Sequence, residues 1–192
     1  AEFNTNILRF GYTSMTTPFS TFDYNMDTKE RELMKRQEVV GGHNPEDYVT
    51  ERIWATVRDG AKVPISIVYK KGFEKNGKGP HLQYAYGSYG STIDASFSSV
   101  RLTLLDRGFA FAIAHIRGGQ MMGRQWYEDG KMFKKMNTFN DFVDCSKFLI
   151  EEKYASPEHL YAQGGSAGGL LMGAVVNLAP ELYNGVLAAV PF

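Results

Sequence analysis

Residues 160–178 read LYAQGGSAGGLLMGAVVNL, and the fold class turns on this stretch. Leu160–Gln163 has the character of a short strand, and the apolar run from Ala167 to Leu178 that of a helix. Between them, Gly164-Gly165-Ser166-Ala167-Gly168-Gly169 contains the spacing G-x-S-x-G with Ser166 at its centre. The spacing has a mechanical reason. A nucleophile on a sharp strand-to-helix turn sits in a strained backbone conformation, and small residues two places to either side keep strand and helix from colliding. The helix that follows aims its N-terminus at the site, where free N–H groups and the helix dipole favour developing negative charge. The same residues would also suit a Gly-rich turn around a buried serine. A strand before and a helix after favour the nucleophile.

Upstream, strands alternate with helices. His81–Tyr86 reads as a strand ending in Gly87-Ser88-Tyr89-Gly90, and Phe97–Arg107 as a short helix stopped by Gly108. Phe109–Ile116 (FAFAIAHI) is almost continuously apolar, the mark of a strand buried on both faces. Thr138 is the expected cap of a helix from Phe139 to about Lys153, with Phe139, Phe142, Val143, Ser146, Leu149 and Ile150 on one stripe. Downstream, Val186–Val190 is a further strand. This alternation predicts βαβ units and an α/β fold with a mostly parallel sheet. Earlier, Tyr48–Arg58 and Val63–Lys71 flank Asp59-Gly60-Ala61-Lys62 as a hairpin. Gly41-Gly42-His43-Asn44-Pro45 marks a boundary, and residues before it read as three short strands that cannot bury a core alone.

Composition narrows the partners. The 192 residues carry 21 basic and 21 acidic side chains, so net charge gives no reason to expect nucleic acid or an anionic membrane. With 43% hydrophobic residues the chain is ordinarily globular, and no apolar run approaches the roughly 20 residues that span a bilayer. Ala1-Glu2-Phe3-Asn4-Thr5 has no leader pattern, and Cys145 is the single cysteine. A reducing, cytoplasmic setting is therefore the expectation.

Other chemistry-bearing residues have plainer readings. His115, at the end of a buried strand, reads as a satisfied structural histidine, and His43, His81 and His159 as surface residues. Arg117, before Gly118-Gly119, should organise a loop by hydrogen bonding. Cys145 reads as packing, since nothing local would lower its pKa. No paired His/carboxylate spacing exists, so neither a metal nor a cofactor is expected. Asp141 and Asp144 precede Ser166, whereas this fold orders its triad Ser, acid, His.

Longer motifs carry a resemblance. Arg9-Phe10-Gly11-Tyr12-Thr13-Ser14, Tyr48-Val49-Thr50-Glu51-Arg52-Ile53-Trp54 and Tyr84-Ala85-Tyr86-Gly87-Ser88-Tyr89-Gly90 are three of them. His115-Ile116-Arg117-Gly118-Gly119, Gly123-Arg124-Gln125-Trp126-Tyr127, Asn137-Thr138-Phe139-Asn140-Asp141-Phe142 and Val190-Pro191-Phe192 continue the series. With Gly164–Gly169, these make the chain resemble the prolyl oligopeptidase family of serine peptidases, most of all its oligopeptidase B group.

The resemblance implies a β-propeller lid on an α/β-hydrolase domain. Residues 1–42 would be the last propeller-blade strands and the return linker, and residues 43–192 the N-terminal part of the hydrolase domain. It implies Ser166 as nucleophile, with the Tyr86 hydroxyl and the Ala167 backbone N–H as oxyanion-hole donors and Tyr89 lining a substrate pocket. Read from its residues alone, Tyr86 would sooner be a core tyrosine at a strand end. The 26 residues after Ser166 include no Asp and no His. The expectation is therefore an internal fragment, inactive alone, that lacks the general base and is completed by a propeller and a C-terminal hydrolase segment of the same protein. The activity implied is hydrolysis of short peptides after Arg or Lys through an acyl-enzyme. An esterase or lipase on the same fold and a non-catalytic assembly fragment are the other readings.

Overall fold

The computed structural model describes residues 3–192. Ala1 and Glu2, the start of the 1–42 segment and of the leader reading, lie outside the described residues. The first three strands, β1 (Ile7–Tyr12), β2 (Ser20–Asn25) and β3 (Arg31–Arg36), form an antiparallel sheet in sequence order. Cross-strand partners explain the pairing. Phe10 lies opposite Phe22 with ring centroids 5.6 Å apart, and Arg9 is opposite Asp23 in a two-pronged ion pair. Asn25 turns the chain into β3 by accepting the backbone N–H groups of Asp27 and Thr28. The sheet buries little: every residue of β3 is exposed.

The chain between β1 and β2 behaves differently. Met15 is buried with Val68, Leu102, Leu105, Phe111 and Ile113, which belong to the second sheet and its helix. Thr13 Oγ1 accepts the Phe97 N–H, and His43 Nε2 donates to the Thr16 carbonyl at 2.7 Å. His43 is thus half-buried, stacked on Tyr48 and tilted against Phe97, not a free surface residue.

The second sheet has six strands: β4 (Tyr48–Thr56), β5 (Lys62–Lys70), β6 (His81–Tyr84), β7 (Ala110–Ala114), β8 (Leu160–Gly165) and β9 (Gly185–Ala189). Their spatial order is β4-β5-β7-β6-β8-β9. The β4–β5 and β5–β7 pairs are antiparallel and the rest parallel, so β5 alone runs against the others. β7, at an inner position, is buried at all five residues, which is why its sequence is unbroken apolar.

Alternation along the strands splits the core in two. On one face, Val63, Ile65, Ile67, Ala112 and Ala114 meet Phe142, Val143 and Leu149 of α3 (Lys135–Glu151) and Leu171, Met172 and Val175 of α4 (Ala167–Leu178). On the other, Val68, Phe111 and Ile113 meet Leu102 and Leu105 of α1 (Ser99–Leu105). Ser98 caps α1 by accepting the Arg101 N–H. The expected α/β class, a largely parallel sheet preceded by separate strands, is what the chain adopts.

Three further details differ from the sequence expectations. Thr138 does not cap α3, which starts at Lys135; Thr138 lies in its first turn and donates to the carbonyls of Arg117 and Gly130 at 2.8 and 3.0 Å. The helix starts one turn earlier, and the hydroxyl is employed by these two loop carbonyls, 21 and 8 residues away, instead of capping it. A short helix, α2 (Arg124–Glu128), was not foreseen, since five residues are too few to show a period. His81 is not on the surface. It opens β6 between Ala110 and Leu160, is fully buried, and among the described residues has no hydrogen-bond partner on either ring nitrogen. Burial pushes its pKa down to about 4.

Candidate active site

β8 delivers the chain into Ser166, whose φ and ψ are 55° and −117°, and α4 begins at the next residue. A left-handed non-glycine residue costs about 1–3 kcal/mol and persists only where its surroundings over-determine it. They do here. The Ser166 N–H donates to the Ala189 carbonyl at the end of β9 at 2.9 Å, while the Ser166 carbonyl accepts from Gly169 and Leu170. Two glycines make the turn sterically possible. A Cβ on Gly164 would be driven into the Gly168 carbonyl, and one on Gly168 would stand 2.8 Å from the Ala85 carbonyl. Ser166 itself is exposed, whereas Ala167, Gly168 and Gly169 are buried. Among the described residues its hydroxyl has no hydrogen-bond partner.

The approach of Ala85 brings in a second loop, which leaves the C-terminal end of β6. Ala85 is fully buried, and the Cα of the next residue, Tyr86, lies 3.5 Å from the Cβ position of Gly168. The Tyr86 backbone therefore rests on the first turn of α4, beside Ser166. Gly87, Tyr89 and Gly90 all have positive φ, at 70°, 57° and 65°. Tyr89 is 71% exposed, with its ring 6.5 Å from that of Tyr86. The structure thus gathers Ser166, Ala167 and Tyr86 at one end of the parallel strands, with Tyr89 on the adjoining turn.

A third loop, after β7, supports the second. The Gly90 N–H donates to the Gly118 carbonyl at 3.0 Å. Arg117 holds this loop: Nε and Nη2 bind both oxygens of Asp141 on α3, its backbone N–H donates to the same carboxylate, and Nη1 reaches Asp59 at 2.6 Å. The Asp141 carboxylate raises the Arg117 pKa, so the guanidinium stays charged. The organising role expected for Arg117 is what its contacts describe. His115 shares a 2.8 Å hydrogen bond with Ser66, and its carbonyl accepts the Trp126 indole N–H. Burial pushes His115 down to about 4, which suits a neutral structural histidine. Cys145 is buried, and burial pushes its thiol well up. Asp144 is engaged by Arg58 through three hydrogen bonds.

One contact to the second loop had no signal in the sequence. Lys135 Nζ donates to the Gly87 carbonyl and to Ser88 Oγ, both at 2.6 Å. The partners lie 48 and 47 residues away, beyond any local pattern.

A sheet of this order, with an exposed serine on a left-handed strand-to-helix turn, defines the class: the chain is built as part of an α/β hydrolase. The sequence profile of the prolyl oligopeptidase family matches residues 95–192, and the chain belongs to that family. It is 54% identical over its whole length to a dipeptidyl aminopeptidase BI of Pseudoxanthomonas mexicana, of which it covers 26%. It is 47% identical, again along its whole length, to a protease 2 of Moraxella lacunata, of which it covers 28%. The structure of oligopeptidase B from Trypanosoma brucei with covalently bound antipain matches 99% of the chain with a TM-score of 0.90 and 46% identity, and 27% of that chain is covered. The chain thus spans about a quarter of the length of the relatives it matches. Among the described residues no helix is long and apolar enough to cross a membrane.

Proposed function

We propose that this chain supplies the nucleophile and oxyanion hole of a serine peptidase that cleaves short peptides after Arg or Lys. The observation that carries the reading is Ser166 exposed on its left-handed turn at the head of α4, in a chain of a peptidase family. Ser166 Oγ attacks the scissile carbonyl, and a histidine from outside this chain takes its proton. The carbonyl oxygen gains the negative charge, which the Ala167 N–H and Tyr86 hydroxyl stabilise, each donor contributing about 3–4 kcal/mol. Collapse of the tetrahedral adduct breaks the C–N bond, and the same histidine returns the proton to the leaving amine. Water then releases the acyl group from Ser166. Tyr89 lines the pocket for the residue before the scissile bond.

In this reading residues 1–42 are propeller strands and return linker, residues 43–192 are hydrolase, and the whole protein works in the cytoplasm without a cofactor. A propeller lid restricts it to short peptides. The chain alone, without its base, turns nothing over.

The test uses the full-length protein that carries this chain. N-blocked Arg and Lys 4-nitroanilides are turned over, and Ser166→Ala lowers kcat by at least about 10⁴-fold and abolishes fluorophosphonate labelling. Activity surviving in Ser166→Ala would sink the reading. A second reading is favoured by the 54% identity to a protein named dipeptidyl aminopeptidase: removal of dipeptides from a free amino terminus. Free-amino dipeptidyl 4-nitroanilides cleaved much faster than N-blocked ones would select it. Preference for short-chain 4-nitrophenyl esters over both would select an esterase.

A further inference from the structure

We propose that Lys135 is a positioning residue, the clamp that holds the loop from Tyr86 to Ser91 in its site-forming shape and, through that loop, the Tyr86 hydroxyl. The proposal rests on the oxyanion role of Tyr86 given above.

The loop needs a clamp. Three of its residues have positive φ, and one of them, Tyr89, is not glycine. Such a run relaxes unless bonds from outside restrain it. One restraint is internal, from the Ser91 N–H to the Ser88 carbonyl at 3.0 Å. Another comes from the β7 loop, from the Gly90 N–H to the Gly118 carbonyl. Both act on the far side of the turn. The Gly87–Ser88 peptide, the second after Tyr86, is held by Lys135, which donates to the carbonyl of Gly87 and the hydroxyl of Ser88.

The other lysines nearby are differently used. Lys131, itself half-buried, pairs with Glu128, and the exposed Lys134 pairs with Asp129, so each has a carboxylate partner. Lys135 is half-buried, and among the described residues no carboxylate lies within ion-pair distance of it. Burial pushes its pKa down to about 8. An ammonium kept out of water without a counter-ion is unfavourable for stability, and its two short hydrogen bonds go to the one loop that carries both tyrosines. Its backbone opens α3, the helix that also carries Asp141, so the clamp is mounted on the element that fixes the β7 loop.

The test is a double-mutant cycle in the full-length protein, read as kcat/KM and as the rate of fluorophosphonate labelling. Lys135→Met is expected to lower both by about 10- to 100-fold, the range for misplacing a positioned group by an ångström or less. In a Tyr86→Phe background the same change is expected to lower them by less than about threefold, since the group being positioned is already gone. Lys135→Arg, which keeps a donor for the Gly87 carbonyl, is expected to retain most of the rate, and so serves where Lys135→Met does not fold. Lys134→Met, a surface control, leaves the rate unchanged. Equal losses in both backgrounds would overturn the proposal and leave the serine peptidase reading intact, as would an arginine variant as slow as the methionine variant. A Tyr86→Phe protein with full activity would overturn it by removing its premise, while Ser166→Ala separately reports on the peptidase reading.

Discussion

At the scale of single residues, the fold carries two buried histidines whose protons belong to the unfolded chain. His81 and His115 are both held near a pKa of about 4 by burial, below the ordinary 6.5. Above pH 6.5 neither state binds these protons, and the full stability is present. Between 6.5 and about 4 the unfolded chain protonates and the native state does not, so stability falls with pH. Among the described residues no hydrogen-bond partner is within reach of the His81 ring nitrogens, so burial prevails there. His81→Leu, similar in size and unable to titrate, is expected to weaken the drop in urea midpoint between pH 7.5 and pH 5. An unchanged drop would place the sensitivity elsewhere. Ser166 shows the opposite relation between sequence and structure: its role in the turn is legible from two flanking glycines, because the clash they avoid is local. The burial of His81 is not, because it depends on β7 and β8 closing over β6 from both sides.

At the scale of elements, α3 joins core and site. One stripe carries Phe142, Val143 and Leu149 into the sheet, and Asp141 beside them receives three hydrogen bonds from Arg117. Breaking a buried pair leaves an uncompensated charge, so Asp141→Ala is expected to destabilise the protein by about 3–5 kcal/mol. Asp141→Asn should recover part of that through its amide oxygen. The measurement is urea unfolding, and a loss below about 1 kcal/mol would show the pair to be dispensable. The apolar stripe was readable from its 3.6-residue spacing, and α4 from its unbroken apolar run. The start of α3 was misread at Thr138, because the carbonyls of Arg117 and Gly130 reach its hydroxyl only in the folded chain.

At the scale of the whole molecule, the six-stranded sheet has an uneven cover. Both helices α3 and α4 pack on one face, but α1 covers only part of the other. There, Leu82, Phe109, Tyr161 and Leu187 line an open groove of about 320 Å³. β9 pairs only with β8 among the described strands, and its Leu187 is 57% exposed, followed by Val190 at 80%. An open strand edge with apolar side chains templates further pairing. Prepared by itself, the chain is expected to self-associate as its concentration rises, and Leu187→Lys to reduce this. A clean monomer across that range by light scattering would refute it.

Local order accounts for what could be read before folding: the strand and helix periods, the hairpin at Asp59-Gly60, and the G-x-S-x-G turn. Each depends on residues within a few positions of one another, where backbone sterics and hydrophobic spacing act. The rest required distant chain to meet. Folding alone set the strand order, the burial of His81, the Arg117–Asp141 pair and the reach of Lys135 to the Tyr86 loop, since hydrogen-bond partners tens of residues apart leave no trace in local pattern.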